Sequence, residues 1–187
     1  MEEFKDVNLM DFSASYIDQN GALLKITNLN YAIKRFSLDD YLKLTGIQSF
    51  APGRIIRRKL LGSFEPISAN CPTEDTVLIL RSLLTGGFIR INEPLIYYRK
   101  HNSNISNSEG LSRMSNHGIF SQYLKDVLHF YDNGFLNDEQ LEKLVKRLNL
   151  ELDLRKLRFS VKRKDWFSDF IRKLKIKWLT YQYKLDN

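Results

Sequence analysis

Residues 72–106 read PTEDTVLILRSLLTGGFIRINEPLIYYRKHNSNIS, and this stretch decides the fold class. Thr73 can cap a helix, which puts Glu74 and Asp75 in its first turn, where the helix dipole favours anions. The apolar run Val77–Leu80, with Leu83 and Leu84, predicts a buried helix that Gly86-Gly87 ends. Phe88-Ile89-Arg90-Ile91 then reads as a strand, Asn92-Glu93-Pro94 as a turn and Leu95-Ile96-Tyr97-Tyr98 as a second apolar strand. A buried helix running into apolar strands is the pattern of an α/β domain.

The upstream sequence adds strands. Residues 12–17 (FSASYI) alternate and run into Asp18-Gln19-Asn20-Gly21, an Asn-Gly turn followed by Ala22–Ile26, which predicts a hairpin. Ser37 with Asp40 three residues later predicts a short capped helix through Leu44, stopped by Gly46. Residues 47–56 read as extended, broken by Pro52-Gly53, and residues 57–61 read as a helical turn ended by Gly62.

Downstream, residues 101–118 are rich in Asn, Ser and Gly and read as a loop or linker. Helical spacing follows in Phe120, Tyr123, Leu124, Val127, Leu128 and Tyr131. Asn137 and Gln140 form a second capping-box pattern, for a helix carrying Leu141, Leu144, Val145 and Leu148. In 165–183, Phe167, Phe170, Ile171, Leu174, Trp178 and Tyr181 share one face, with Ile176 as the apolar residue out of place. No internal repeat is present. The expected organisation is a domain over 1–108, a linker at 109–118 and a helical region over 119–187 with a basic amphipathic tail.

At 187 residues and 43% hydrophobic, the chain can bury a real core, and it is neither collagen-like nor wholly disordered. No apolar run reaches the roughly 18 residues a membrane-spanning helix needs. The acidic start, MEEFKDVNLM, has no apolar segment of the secretory kind. One cysteine, Cys71, cannot cross-link a fold, and three scattered histidines do not suggest structural zinc. A cytoplasmic setting is the expectation. The net charge of +7 is uneven, because Arg155 to Lys184 holds eleven basic residues against two acids. The basicity belongs to the tail.

Three segments in order, RRKLLGSFEP at 57–66, PTEDTVLILRSLLTGG at 72–87 and INEPLIYYRKHNSNIS at 91–106, resemble the inverting family 2 glycosyltransferases of the GT-A fold. The resemblance covers residues 7–108 and implies the C-terminal, acceptor-side part of that Rossmann-like domain, followed by helices. It implies transfer of a sugar from a nucleotide-sugar donor to a cell-surface glycan or lipid-linked acceptor. By resemblance Asp75 is the base that takes the acceptor's proton, and Glu74 binds or orients the acceptor. Arg99, with Arg57 and Arg58, faces the donor diphosphate, and His101 helps hold a divalent metal, Mn²⁺ or Mg²⁺. An aspartate is ionised at neutral pH and suits the part of base.

The family's Asp-x-Asp metal motif and the nucleotide half that precedes it have no counterpart in this sequence; Asp39-Asp40 is adjacent, not spaced. The expectation is therefore a truncated fold, without autonomous activity, that a second copy or a partner chain completes. The alternative is a non-catalytic, membrane-associated binding module derived from the same fold. The basic tail, 155–184, has three readings: a helix packed on the body, a nucleic-acid arm, or an interfacial helix on an anionic membrane surface. The interfacial reading leads, with the protein peripheral on the inner face of the cytoplasmic membrane, and nucleic acid is the weakest.

Overall fold

The computed structural model describes residues 4–43, 47, 49–101, 114–159 and 166–185, and the side chains of these except at 159 and 166–170. The chain divides into two compact units. One comprises Met1–Pro66 and Glu74–Asn104, the other Ile67–Thr73 and Ile105–Asn187. The protein is mixed α/β: the first unit holds the sheet and the second is helical.

The sheet has five strands, β1 (Leu9–Ile17), β2 (Leu23–Ile26), β3 (Ile33–Phe36), β4 (Arg54–Ile56) and β5 (Phe88–Arg99). β1 is the organising strand. It runs parallel to β5 along one edge, and its other edge is shared, with Leu9–Asp11 against β4 and Ser15–Ile17 against β2. β3 closes the far side, antiparallel to β5. Strand β1 is buried on both faces over most of its length, as a strand with neighbours on both edges and cover on both faces must be. On one face Phe36 stacks on Phe88 with ring centroids 5.0 Å apart, and Leu9 lies beside them in register. On the other, Val7, Met10 and Ile89 pack with Phe4, Phe12 and Ile91.

The expected hairpin forms. Asp18 Oδ1 accepts from the amides of Asn20 and Ala22, both at 2.8 Å, and Gly21 supplies the positive φ of 91° that the turn requires. The capping box also forms: helix α1 (Leu38–Leu42) begins with Ser37 and Asp40 exchanging side-chain-to-backbone bonds. The expected stop at Leu44 and Gly46 lies outside the described residues. Residues Ala51–Gly53 make a 3-10 turn, and α2 (Arg58–Gly62) and α3 (Glu74–Leu84) follow. Helix α3 ends as expected. Gly87, at φ 93°, donates to the Ser82 carbonyl at 2.7 Å, and a side chain there would collide with the Phe36 carbonyl.

One expectation fails. Asn92-Glu93-Pro94 is not a turn between two strands but a bulge within the single strand β5. Phe12 pairs with Ile91 and Ser13 with Pro94, so two residues of β5 are left over between them. Asn92 uses the irregularity: its amide donates to Ala32 at 2.8 Å, and its side chain donates to the Leu29 carbonyl and accepts from Ser13 and the Leu29 amide. Pro94, which has no N–H to give a ladder, sits where the ladder is already interrupted.

In the helical unit, α4 (Asn116–Asp132) starts inside the stretch expected to be linker, with Ser115 accepting from Gly118. Helix α5 (Asp138–Phe159) opens on the expected box, Asn137 and Gln140 bonding reciprocally at 3.0 and 2.9 Å. Ile119, Tyr123, Val127 and Phe130 of α4 and Leu144, Leu148, Leu150 and Leu154 of α5 are the buried apolar positions. Helix α6 (Trp166–Leu185) packs on α5, and among the described residues no helix is long and apolar enough to cross a membrane.

Candidate functional site

The site is built around a buried ion pair that sequence reading missed. The register of β1 and β4 sets Asp11 beside Arg54. Arg54 grips the carboxylate with two nitrogens, Nε at 2.7 Å and Nη2 at 3.1 Å, and the Phe50 amide adds a third bond at 2.8 Å. The Asp11 and Arg54 side chains are 0% and 5% exposed, and the pair persists there because the two charges neutralise each other and both carboxylate oxygens are hydrogen-bonded. Gly53 makes the close approach feasible, since a Cβ there would lie 2.7 Å from the Phe12 carbonyl.

The remaining Arg54 nitrogen, Nη1, donates at 2.7 Å to the backbone carbonyl of Asp75. The first turn of α3 is therefore tied to the sheet at Asp75. The Asp75 side chain is half-buried and accepts from the Thr76 amide at 2.9 Å, and Glu74 beside it is exposed. A carboxylate at a tethered helix start, with one edge open, can accept a hydrogen bond from a hydroxyl brought to it.

Phe50 links this acidic edge to an aromatic wall. Its ring lies 6.0 Å from Tyr16 and 5.6 Å from Tyr98, and those two rings are 5.5 Å apart, edge to face. The Lys25 and Lys100 ammonium groups sit over Tyr16 at 4.8 and 5.1 Å. Beneath the wall, buried Arg90 donates to the Phe12 carbonyl and to Ser13 Oγ, with its guanidinium 5.8 Å from the Phe50 ring. Burial pushes the Arg90 pKa down, while Asp11 and the tyrosines Tyr31 and Tyr16 oppose the shift. Burial likewise raises the Tyr31 phenol, with Arg90 pulling the other way. An aromatic wall with ammonium groups over it has the chemistry to take the apolar face of a sugar ring and bond its hydroxyls.

The residues expected from sequence do not all gather here. Arg57 pairs by its amide with Asn8, and its side chain donates to the Val7 and Phe4 carbonyls. Lys100 pairs by its amide with Ile17, and Arg99 donates to the carbonyls of Asp18 and Gln19. Asn8 and Ile17 are separated by nearly the whole of β1, about 30 Å at strand rise. Arg57 and Arg99 thus reach away from each other at opposite ends of the sheet, and one diphosphate cannot touch both. Arg58, next to Arg57 at the start of α2, is exposed. His101 is exposed directly after β5, one residue beyond Lys100 and so at the Tyr16–Tyr98 end.

Among the described residues no three His, Cys, Asp or Glu side chains come together to hold a metal ion. His101 thus lies in no metal centre that the described residues make. Compared with models of known families, with characterised proteins and with solved structures, the chain finds no match.

Proposed function

We propose that the first unit is the acceptor side of an inverting sugar transferase of the GT-A kind, acting on a cell-surface glycan or lipid-linked acceptor. The observation that carries this reading is the tether from the buried Asp11–Arg54 pair to Asp75, which holds a half-open carboxylate in place at the start of α3. The resemblance of residues 57–66, 72–87 and 91–106 to family 2 glycosyltransferases supports the same assignment.

In this reading Asp75 takes the proton from an acceptor hydroxyl as that oxygen bonds to the anomeric carbon. The bond from that carbon to the nucleoside diphosphate breaks, and the electron pair leaves with the diphosphate. Glu74 orients the acceptor, and the wall of Tyr16, Phe50 and Tyr98 receives a sugar ring. The donor half comes from residues other than these 187, in the same or another chain. Arg99 and His101 are the cationic candidates at the wall's end, and Arg57, at the other end of β1, is the alternative that cannot share one diphosphate with Arg99.

The test is a glycan array probed with the chain, followed by transfer of labelled sugar from uridine and guanosine diphosphate sugars once the bound glycan is known. Saturable glycan binding, weakened by Glu74→Gln and by Tyr98→Ala, is the expected result. Asp75→Asn should leave binding in place and lower transfer by about 10²-fold or more, the usual worth of a positioned base. Binding without transfer from any donor would identify a non-catalytic glycan-binding module. No glycan bound at all would overturn the assignment.

A further inference from the structure

Helix α6 has two apolar faces, and α5 covers only one. Ile176, Leu179 and Thr180 are half-buried and Tyr183 is 8% exposed, and Arg172 on this side reaches the Arg158 carbonyl at 3.4 Å. Ile176, out of place on the expected face, belongs to this packed one. The other face carries Ile171, Leu174, Trp178, Tyr181 and Leu185, spaced three and four residues apart in alternation, and all five are exposed, Trp178 to 57% and Tyr181 to 62%. At 100° per residue the two faces lie nearly opposite one another.

The flanks of the exposed stripe decide what can cover it. Lys173, Lys177 and Lys184 line one side and Lys175 the other, all exposed, and between residues 171 and 185 there is no acidic residue. A stripe of this spacing could zip to a second copy of itself. Such a pair would set lysine rows against lysine rows, with no carboxylate between residues 171 and 185 to relieve them. A nucleic acid would match the lysines and leave five large apolar side chains in water. A bilayer with anionic headgroups satisfies both at once, taking the apolar stripe at the acyl boundary and the ammonium groups at the phosphates. Trp and Tyr in the stripe are the side chains that settle at that boundary.

We propose that α6 docks the protein in the plane of an anionic membrane surface, through the Ile171–Leu185 stripe and its lysine flanks. The proposal is independent of the sugar-transfer reading. Its test uses the full chain carrying Trp166→Phe, so that Trp178 alone reports. The probe is vesicles of phosphatidylcholine mixed with phosphatidylglycerol, against pure phosphatidylcholine. The expected result is co-sedimentation with the mixed vesicles, weakened by added salt, and a blue shift of Trp178 emission. Leu174→Glu, and separately Lys173→Gln with Lys177→Gln, should each weaken partition by about tenfold or more, while circular dichroism stays unchanged. These side chains are exposed, so their replacement leaves the α5 contact intact.

Four results would overturn the proposal. One is absence of binding to the mixed vesicles. The second is binding that Leu174→Glu leaves unaltered. The third is a dimer in sedimentation velocity that Leu174→Glu abolishes, with no lipid binding; the stripe would then be a self-association seam. Salt-sensitive retention on DNA without retention on vesicles would likewise replace the membrane with a nucleic acid.

Discussion

At the scale of single residues, the Asp11–Arg54 pair is the contact on which the site depends. Removing one partner of a buried, hydrogen-bonded ion pair leaves a desolvated charge, which typically costs about 3–5 kcal/mol. Arg54→Met should therefore lower stability in urea unfolding by about that much. Arg54→Met combined with Asp11→Leu should cost clearly less, because no orphan charge remains. Equal losses in the single and double variants would mean that an orphaned Asp11 charge is not the source of the cost. A gentler case is the Ser37–Asp40 box. The Ser37 amide, then its hydroxyl, lower the Asp40 pKa below the ordinary carboxylate value, with burial opposing. A carboxyl lowered by folding stabilises at pH above its unfolded value, and that contribution fades as pH falls through the folded one. Asp40→Asn should flatten the loss of stability between neutral pH and pH about 3, and Ser37→Ala should cost about 1 kcal/mol at neutral pH. An unchanged acid limb in Asp40→Asn would remove the carboxyl from that account.

Whole elements show which parts of this fold can be read from a string of letters. The hairpin at Asp18–Gly21 and the caps at Ser37 and Asn137 are local devices whose partners lie within four residues, so sequence and structure agree there. Strand β5 was unreadable for the opposite reason: its bulge exists because Asn92 bonds Ala32, Leu29 and Ser13, each at least sixty residues away or in another strand. The candidate site divides the same way. Asp75 stands out as an acid at a helix start, whereas Asp11 is one polar letter in an alternating strand, and its partner is 43 residues distant. Helix α6 misled because one helix carries two apolar faces, and a single periodicity assigns only one. Gly118 offers a test at this scale. Gly→Ala in a helix ordinarily stabilises, by about 1 kcal/mol. Here a Cβ would run into the carbonyl of Asn70, a backbone atom that cannot swing aside. Gly118→Ala should instead destabilise the helical unit by about 1–3 kcal/mol, read as a lower thermal midpoint. A raised midpoint would show that residues 67–73 do not press on α4 in solution.

For the molecule as a whole, the two units are not two consecutive lengths of chain. Residues 67–73 leave the sheet unit, join the helices, and return at Glu74 to begin α3. The bonds that hold this excursion are specific. The Ser68 amide donates at 2.8 Å to Gln122, whose own side-chain nitrogen donates at 2.9 Å to Asp126, and both of these polar side chains are nine-tenths or more buried. Deleting the excursion would leave Gln122 Oε1 without that donor inside α4, and an unsatisfied buried acceptor costs about 1–3 kcal/mol. A fragment spanning residues 105–187 should consequently show faster amide exchange through the middle of α4 than the intact chain, by about tenfold or more. A synthetic peptide of residues 66–74, added in excess, should restore part of that protection. Replacing Gln122 with Leu in the fragment should narrow the difference as well, because the orphaned acceptor is then gone. Equal protection in fragment and full chain would show that the helices hold together unaided. The crossing at 67–73 would then matter for delivering Asp75 to the sheet, and not for the unit it passes through.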